Sequence, residues 1–378
     1  MNIGILTQPL KNNYGGILQN YALQTVLKRE GFEPYTINLH YPPTPKIMLW
    51  TSILKRGILK YILHKNIALR ALPTKKEASI ISHNIDRFVS ENIILTEKFH
   101  KEILNITKQY AFSAYIVGSD QVWRPQYSPC LTHYFLDFLD KNTDVKKIAY
   151  AASFGVDNWE FTPKQTIKCS ALAKQFNFLS VREASAIELC KKYLDVDALQ
   201  VLDPTLLLKK EDYLNLTKQD NIPERDNLLF SYILDKSDKK ISLIHKAVKK
   251  YNLHLISGMP SRSYKTKGFK ENLSDYIFMP VTEWIAGFRD AKFVVTDSFH
   301  GTLFSILFNK PFIVVANKAR GATRFASLLK MFDLEERLIT GSDFDNNLLY
   351  LDYSEVNKII EKERDKSMAY LLNAINAS

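Results

Sequence analysis

A chain of 378 residues, 46% hydrophobic and 24% charged, is too apolar to be disordered and long enough for two domains with cores of their own. Its three cysteines, Cys130, Cys169 and Cys190, show no CxxC spacing and no neighbouring histidine pair, which argues against a zinc site or a disulfide framework and for a reducing compartment. The net charge of +11 calls for an anionic partner: a phosphorylated substrate, a lipid surface or nucleic acid.

Met1–Leu6 has neither a basic n-region nor an apolar h-region and reads as a first strand, Asn2–Leu6, rather than a signal peptide. Strands at Tyr35–Asn38, Ala114–Val117, Lys147–Ala151, Phe178–Val181 and Ala198–Leu202 follow, with helices at Gly16–Glu30, Pro163–Gln175 and Glu183–Tyr193. The polar stretch Lys218–Asn227 suits a linker. A second alternation then places strands at Leu228–Leu234, Leu253–Ile256, Tyr276–Met279, Phe293–Thr296 and Phe312–Val315. Its helices fall at Asp238–Lys250, Val281–Arg289, His300–Phe308 and Ala322–Met331. The expected architecture is α/β: two facing Rossmann-like domains, residues 1–217 and 228–352, with a helix in 353–378 packing back on the first. The apolar stretch Phe293–Val315 is broken by Asp297, His300, Asn309 and Lys310, which excludes a membrane span. A cytoplasmic protein is expected.

Chemistry is sought at strand ends, where such sheets bind ligands. After the first strand, Asn13-Tyr14-Gly15-Gly16 opens a helix that carries Asn20. The two glycines allow close backbone approach, but the stretch is no GxGxxG, and a plain tight turn explains it equally well. Val117-Gly118-Ser119-Asp120-Gln121-Val122-Trp123 ends another strand in a polar loop, with Trp123 a stacking wall for a sugar or an anchor of the turn. Arg182 sits where a strand gives way to a helix, able to clamp a carboxylate or phosphate or to pair with Glu183.

The strongest signal is Thr296-Asp297-Ser298-Phe299-His300-Gly301-Thr302. An apolar strand runs into an Asp-Ser cap and directly into an apolar helix, so free N–H groups meet an anion there. His300 is placed to donate a hydrogen bond or a proton. In the following loop Lys318, Arg320 and Arg324 add positive charge. No residue cluster asks for a metal.

Between Glu33 and Glu77 no acidic residue occurs, while the segment 46–76 carries eight Lys and Arg. Read as a helix, Trp50, Leu54, Ile58, Tyr61 and Ile62 share one face, and Arg56, Lys60 and His64 the other. That pattern fits either a helix packed on its own domain or one lying on an anionic membrane surface. The aromatics are not interleaved as base-stacking platforms, so nucleic acid is not expected.

The combination GGILQNYALQ, VGSDQVW, VRE, VLDPTLLL and TDSFHGTLFSILFNKPF, in that order over about Ile3–Leu329, resembles the polysaccharide pyruvyl transferase family; the SFHG form looks like a subgroup found in capsule and exopolysaccharide gene clusters. The resemblance implies a GT-B-like fold and transfer of a pyruvyl group from phosphoenolpyruvate to a sugar of a cell-surface polysaccharide or its lipid-linked precursor, as a ketal, with no further cofactor. It matches Arg182 and His300 to family residues and the family's basic loop residue to Lys318 or Arg320. With the strand-end motifs, His300 is the candidate acid and Asp120 or Asp297 the group that activates the acceptor; Arg182, Ser298, Gly301, Thr302, Lys318, Arg320 and Arg324 are candidates for the donor, and Gly15, Gly16, Asn20, Ser119 and Trp123 for the acceptor. One departure is Ser298, where better-studied members carry an arginine. The rival readings are a GT-B glycosyltransferase of capsule synthesis using a nucleotide-sugar, and a non-catalytic polyanion binder.

Overall fold

The computed structural model describes the chain except residues 41–45, 66, 100–102, 142, 265–267, 270–271, 317–321, 342–343, 345–347 and 378, and except the side chains of 46–50, 104 and 322–324. The first sheet contains β1 (Asn2–Leu6), β2 (Glu33–Leu39), β3 (Leu95–Phe99), β4 (Ala114–Val117), β5 (Lys146–Ala152), β6 (Phe178–Val181) and β7 (Leu199–Gln200). The second contains β8 (Leu228–Tyr232), β9 (His254–Ser257), β10 (Ala291–Thr296), β11 (Phe312–Val315) and β12 (Leu338–Ile339). Central strands such as β4 and β8 are buried throughout and pair in parallel, as near-continuous apolar runs covered by helices on both faces must.

The first sheet has the order β3-β2-β1-β4-β5-β6-β7, the second β12-β11-β10-β8-β9. Chain progression therefore reverses between β1 and β4 in one sheet and between β8 and β10 in the other. Outside the carboxyl ends of strands at such reversals, helices diverge and leave a crevice. The α/β architecture with two parallel sheets is the one the alternating pattern predicts.

Several elements depart from the sequence reading. Tyr276–Met279 forms no strand: Leu273–Tyr276 is a 3-10 turn followed by irregular chain, its apolar side chains spent on packing between domains. β3, whose polar residues dilute the apolar signal, and β12, only two residues long, lie at sheet edges. The helix Lys210–Gln219 also occupies the first residues of the stretch read as linker.

The sheets are joined by an aromatic contact. Tyr14, at the start of the first helix (Tyr14–Arg29), stacks on Trp284 of the second domain at 5.2 Å and 14°, and its hydroxyl donates to Met279 O at 2.9 Å. Burial pushes that phenol well above its ordinary pKa. The C-terminal helix, Ser354–Asn376, returns to the first domain: Lys146 Nζ donates to Ile375 O at 2.6 Å, and Leu202 N–H donates to Ser367 Oγ at 2.9 Å. The second of these bonds braces the chain immediately before Asp203.

Candidate active site

The second domain contributes the turn after β10. Thr296 Oγ1 donates to Tyr232 O at 2.8 Å and accepts from Ser298 N–H at 3.1 Å, tying this strand end to β8. Ser298 Oγ then accepts from Gly301 N–H at 3.4 Å and caps the helix Phe299–Leu307, a Ser cap holding one of the free N–H groups of the first turn. That cap fixes His300 in the opening turn, facing the first domain. Gly15 lies directly against it: a Cβ at position 15 would overlap the imidazole ring. Only glycine permits this approach of backbone to ring.

The first domain contributes the ends of β4, β6 and β7. Arg182 follows β6 and lies with its guanidinium 4.1 Å over the Phe299 ring. Its Nη1 donates to Asp203 Oδ2 at 2.9 Å and its Nε to Glu183 Oε1 at 3.3 Å, while Nη2 lies 3.9 Å from Asp120 Oδ1. Asp203, past β7, also accepts from Ser119 Oγ at 3.1 Å and from the N–H and hydroxyl of Thr205 at 3.0 and 2.7 Å. Its Oδ2 stands 3.5 Å from His300 Nε2. Asp120 is held from the other side by Asn13 Nδ2 at 3.2 Å.

Four ionisable side chains of the first domain and His300 of the second therefore meet in one buried cluster. Burial alone would push the Asp203 carboxyl upward, but the charges of His300 and Arg182 outweigh it and hold the group well below the usual carboxylate range. Burial opposes the charge of Arg182 as well, yet Glu183, Asp203 and Asp120 hold it firmly protonated. Two donors in the cluster are buried and have no hydrogen-bond partner among the described residues: His300 Nε2 and Arg182 Nη2. Buried donors are nearly always paired, and these two, one from each domain, have only the long ion-pair contacts to Asp203 and Asp120.

The model of one family, polysaccharide pyruvyl transferase, matches residues 13–319. The chain belongs to this family. It is accordingly a transferase of polysaccharide synthesis. No curated protein matches the chain. Among solved structures, a putative UDP-N-acetylglucosamine 2-epimerase from Listeria monocytogenes is 11% identical with a TM-score of 0.51, over 100% of this chain and 96% of that one. The UDP-GlcNAc 2-epimerase of Neisseria meningitidis is 9% identical over 100% of both chains, with a TM-score of 0.48. The former likeness concerns the fold alone: two facing domains of the GT-B type.

In this family member the cluster gathers His300, Asp120, Arg182, Gly15, Gly16 and Ser119 from the expected set; a Cβ on Gly16 would stand 2.8 Å from Asn13 Nδ2 and 3.3 Å from Asp120 Oδ2. Ser298 and Thr302 are buried at the His300 turn and occupied locally, the Thr302 hydroxyl donating to Ser298 O at 3.0 Å. Gly301 packs against Thr296 and Tyr232 and serves close packing.

Two acceptor expectations fail. Trp123 is fully buried, stacked on Phe135 at 5.0 Å, with its indole N–H donating to Tyr134 O at 2.9 Å. No face is left for a sugar; it anchors the core under the loop. Asn20 is fully buried and exchanges hydrogen bonds with Thr36 at 2.7 and 3.0 Å, so it ties the first helix to β2. Lys318 and Arg320 lie outside the described residues. For Arg324 only its place near the start of the helix Ala322–Met331 is described. Asp203 was missed, although it follows a strand at the same sheet edge as Ser119 and Arg182; that position was the available signal. Among the described residues no group of three His, Cys, Asp or Glu side chains is arranged to hold a metal.

Proposed function

We propose that the protein transfers a pyruvyl group from phosphoenolpyruvate to two hydroxyls of a sugar, on a cell-surface polysaccharide or its lipid-linked precursor, at the inner face of the membrane. The supporting observation is that two buried donors of one cluster, His300 Nε2 from the second domain and Arg182 Nη2 from the first, make no hydrogen bond among the described residues and have only long ion-pair contacts, 3.5 Å to Asp203 and 3.9 Å to Asp120. A small anion carrying both a phosphate and a carboxylate matches two such donors, because charge-assisted hydrogen bonds to buried cations are the strong ones.

The chemistry balances with no redox step. A proton is delivered to the methylene carbon of the donor, which becomes a methyl group and leaves C2 electrophilic. One sugar hydroxyl adds to C2; a second replaces the phosphate, which departs as inorganic phosphate. Of the two hydroxyl protons, one makes up the methyl group and the other leaves with phosphate. His300 supplies the proton to carbon, and Asp203 orients its ring. Asp120, tethered by Asn13, receives the hydroxyl proton. Three carboxylates (Asp120, Glu183 and Asp203) stand against Arg182 and His300, so further positive charge is needed for a multiply charged donor; Lys318, Arg320 and Arg324 supply it in the sequence.

Thermal stabilisation tests this reading. Phosphoenolpyruvate is expected to raise the melting temperature of the protein, and the shift is expected to vanish in His300→Gln. A shift with nucleotide-sugars and none with phosphoenolpyruvate would replace this reading with that of a glycosyltransferase.

A further inference from the structure

The helix Lys46–Tyr61 is amphipathic, and the structure turns it the unusual way round. Among its described side chains Leu54 is 68% exposed, Ile58 53% and Tyr61 63%, and Ile62, just past its end, 68%. Its arginine points inward, Arg56 Nε donating to Ala68 O at 2.7 Å. A helix settled by burial within its own domain does the reverse. Around Leu54, Ile58 and Ile62 the surface forms an apolar groove completed by Gly57 and Leu69. Its rim is cationic: Lys55 and Lys65 are exposed, Lys60 lies 5.4 Å from the centre of the Tyr61 ring, and no acidic residue occurs between Glu33 and Glu77.

We infer that this face docks the protein on an anionic lipid bilayer, the apolar stripe sinking among the acyl chains and the lysines meeting the headgroups. Charge selects the occupant. Two copies meeting through this face would set lysine rims against each other with no acidic residue in 34–76 to neutralise them, whereas an anionic headgroup layer neutralises both sides of the stripe. Spanning is excluded, since 16 residues rise only about 24 Å, and no described helix is long and apolar enough to cross a membrane. The helix follows the carboxyl end of β2 in the chain, as Gly15 and Asp120 follow the carboxyl ends of β1 and β4 in the same sheet. Docking there brings the cleft to the surface from which a lipid-carried sugar would be presented. The inference rests on this helix and not on the identity of the donor.

Co-sedimentation of the full chain with vesicles tests it, using phosphatidylcholine alone and phosphatidylcholine with about one third phosphatidylglycerol. The protein is expected to pellet with the anionic vesicles and to be released as salt rises from about 0.05 to about 0.5 M. The variant Leu54→Glu/Ile58→Glu/Ile62→Glu is expected to lose at least about tenfold in partitioning, and Lys55→Glu/Lys65→Glu a similar factor. All five positions are exposed or rim residues, so both variants are expected to keep the wild-type melting temperature. Failure to pellet, equal partitioning onto neutral and anionic vesicles, or wild-type binding by the triple variant overturns the inference. So does a lipid-free dimer that the triple variant dissolves, which would make the face a contact between copies.

Discussion

Two buried charge networks lie three residues apart on the same turn, and they differ in one respect. Asp297 accepts from Leu234 N–H at 2.6 Å, Asp235 N–H at 3.2 Å and Lys240 Nζ at 2.5 Å; its oxygens are occupied, and the network fastens the end of β10 to the helix Asp238–Tyr251. Around His300 the acceptors Asp203, Glu183 and Asp120 are likewise engaged, but two donors, Nε2 of His300 and Nη2 of Arg182, make no hydrogen bond among the described residues and stand only at ion-pair distance, 3.5 and 3.9 Å, from Asp203 and Asp120. A saturated network holds a fold. An unsaturated one, buried to a similar degree, keeps hydrogen-bonding capacity for a ligand. Asp297, one of the two carboxylates weighed for activating the acceptor, belongs to the former kind.

Substitutions can break this contrast. Lys240→Met strands Asp297 in the core and is expected to cost about 3–5 kcal/mol of stability in denaturant titrations; turnover per folded molecule should hold. His300→Gln is expected to weigh the other way: turnover falls by about 10²–10⁴-fold, while stability falls less than in Lys240→Met because Asp203 keeps Arg182, Ser119 and Thr205. Should Lys240→Met lower turnover as far as His300→Gln does, the division between the two networks is wrong.

Gly15→Ala sharpens the contrast from the other domain. The added Cβ must push the imidazole away, at an expected cost of about 1–3 kcal/mol, with turnover falling well beyond what that destabilisation explains. Acid adds a smaller effect. The folded Asp203 pKa lies below its unfolded value of 3.8. The stability it contributes is therefore fully present above about pH 5 and is lost as pH falls through the unfolded value toward the folded one. Calorimetric melts between pH 5 and about pH 3 should show a shallower acid decline in His300→Gln than in wild type, because part of the downward shift comes from the His300 charge. The smallest effect on turnover is that of Trp123→Phe, which is expected to leave it unchanged while reducing stability by about 1–3 kcal/mol.

The strand–helix alternation made both sheets readable, because buried parallel strands announce themselves as apolar runs and loops at their carboxyl ends mark the crevice. What stayed hidden is local direction. Ser119 and Trp123 share one loop, yet the first turns to Asp203 and the second into the core beside Phe135; nothing in a loop's composition says which way a tryptophan faces. The same limit applies to the helix Lys46–Tyr61, whose periodicity gave two faces without saying which meets solvent. Asp203 was overlooked for another reason. Its role depends on Arg182, Ser119 and His300, each from a different strand end, and such a convergence exists only once the sheet order is fixed.

The central claim is that His300 and Arg182 present free donors to a small dianion. Isothermal titration of phosphoenolpyruvate into wild type and His300→Gln, at neutral pH and one salt concentration, tests it most directly. Loss of one charge-assisted hydrogen bond predicts binding weaker by about tenfold to a hundredfold in the variant; equal affinity in the two proteins would contradict the account.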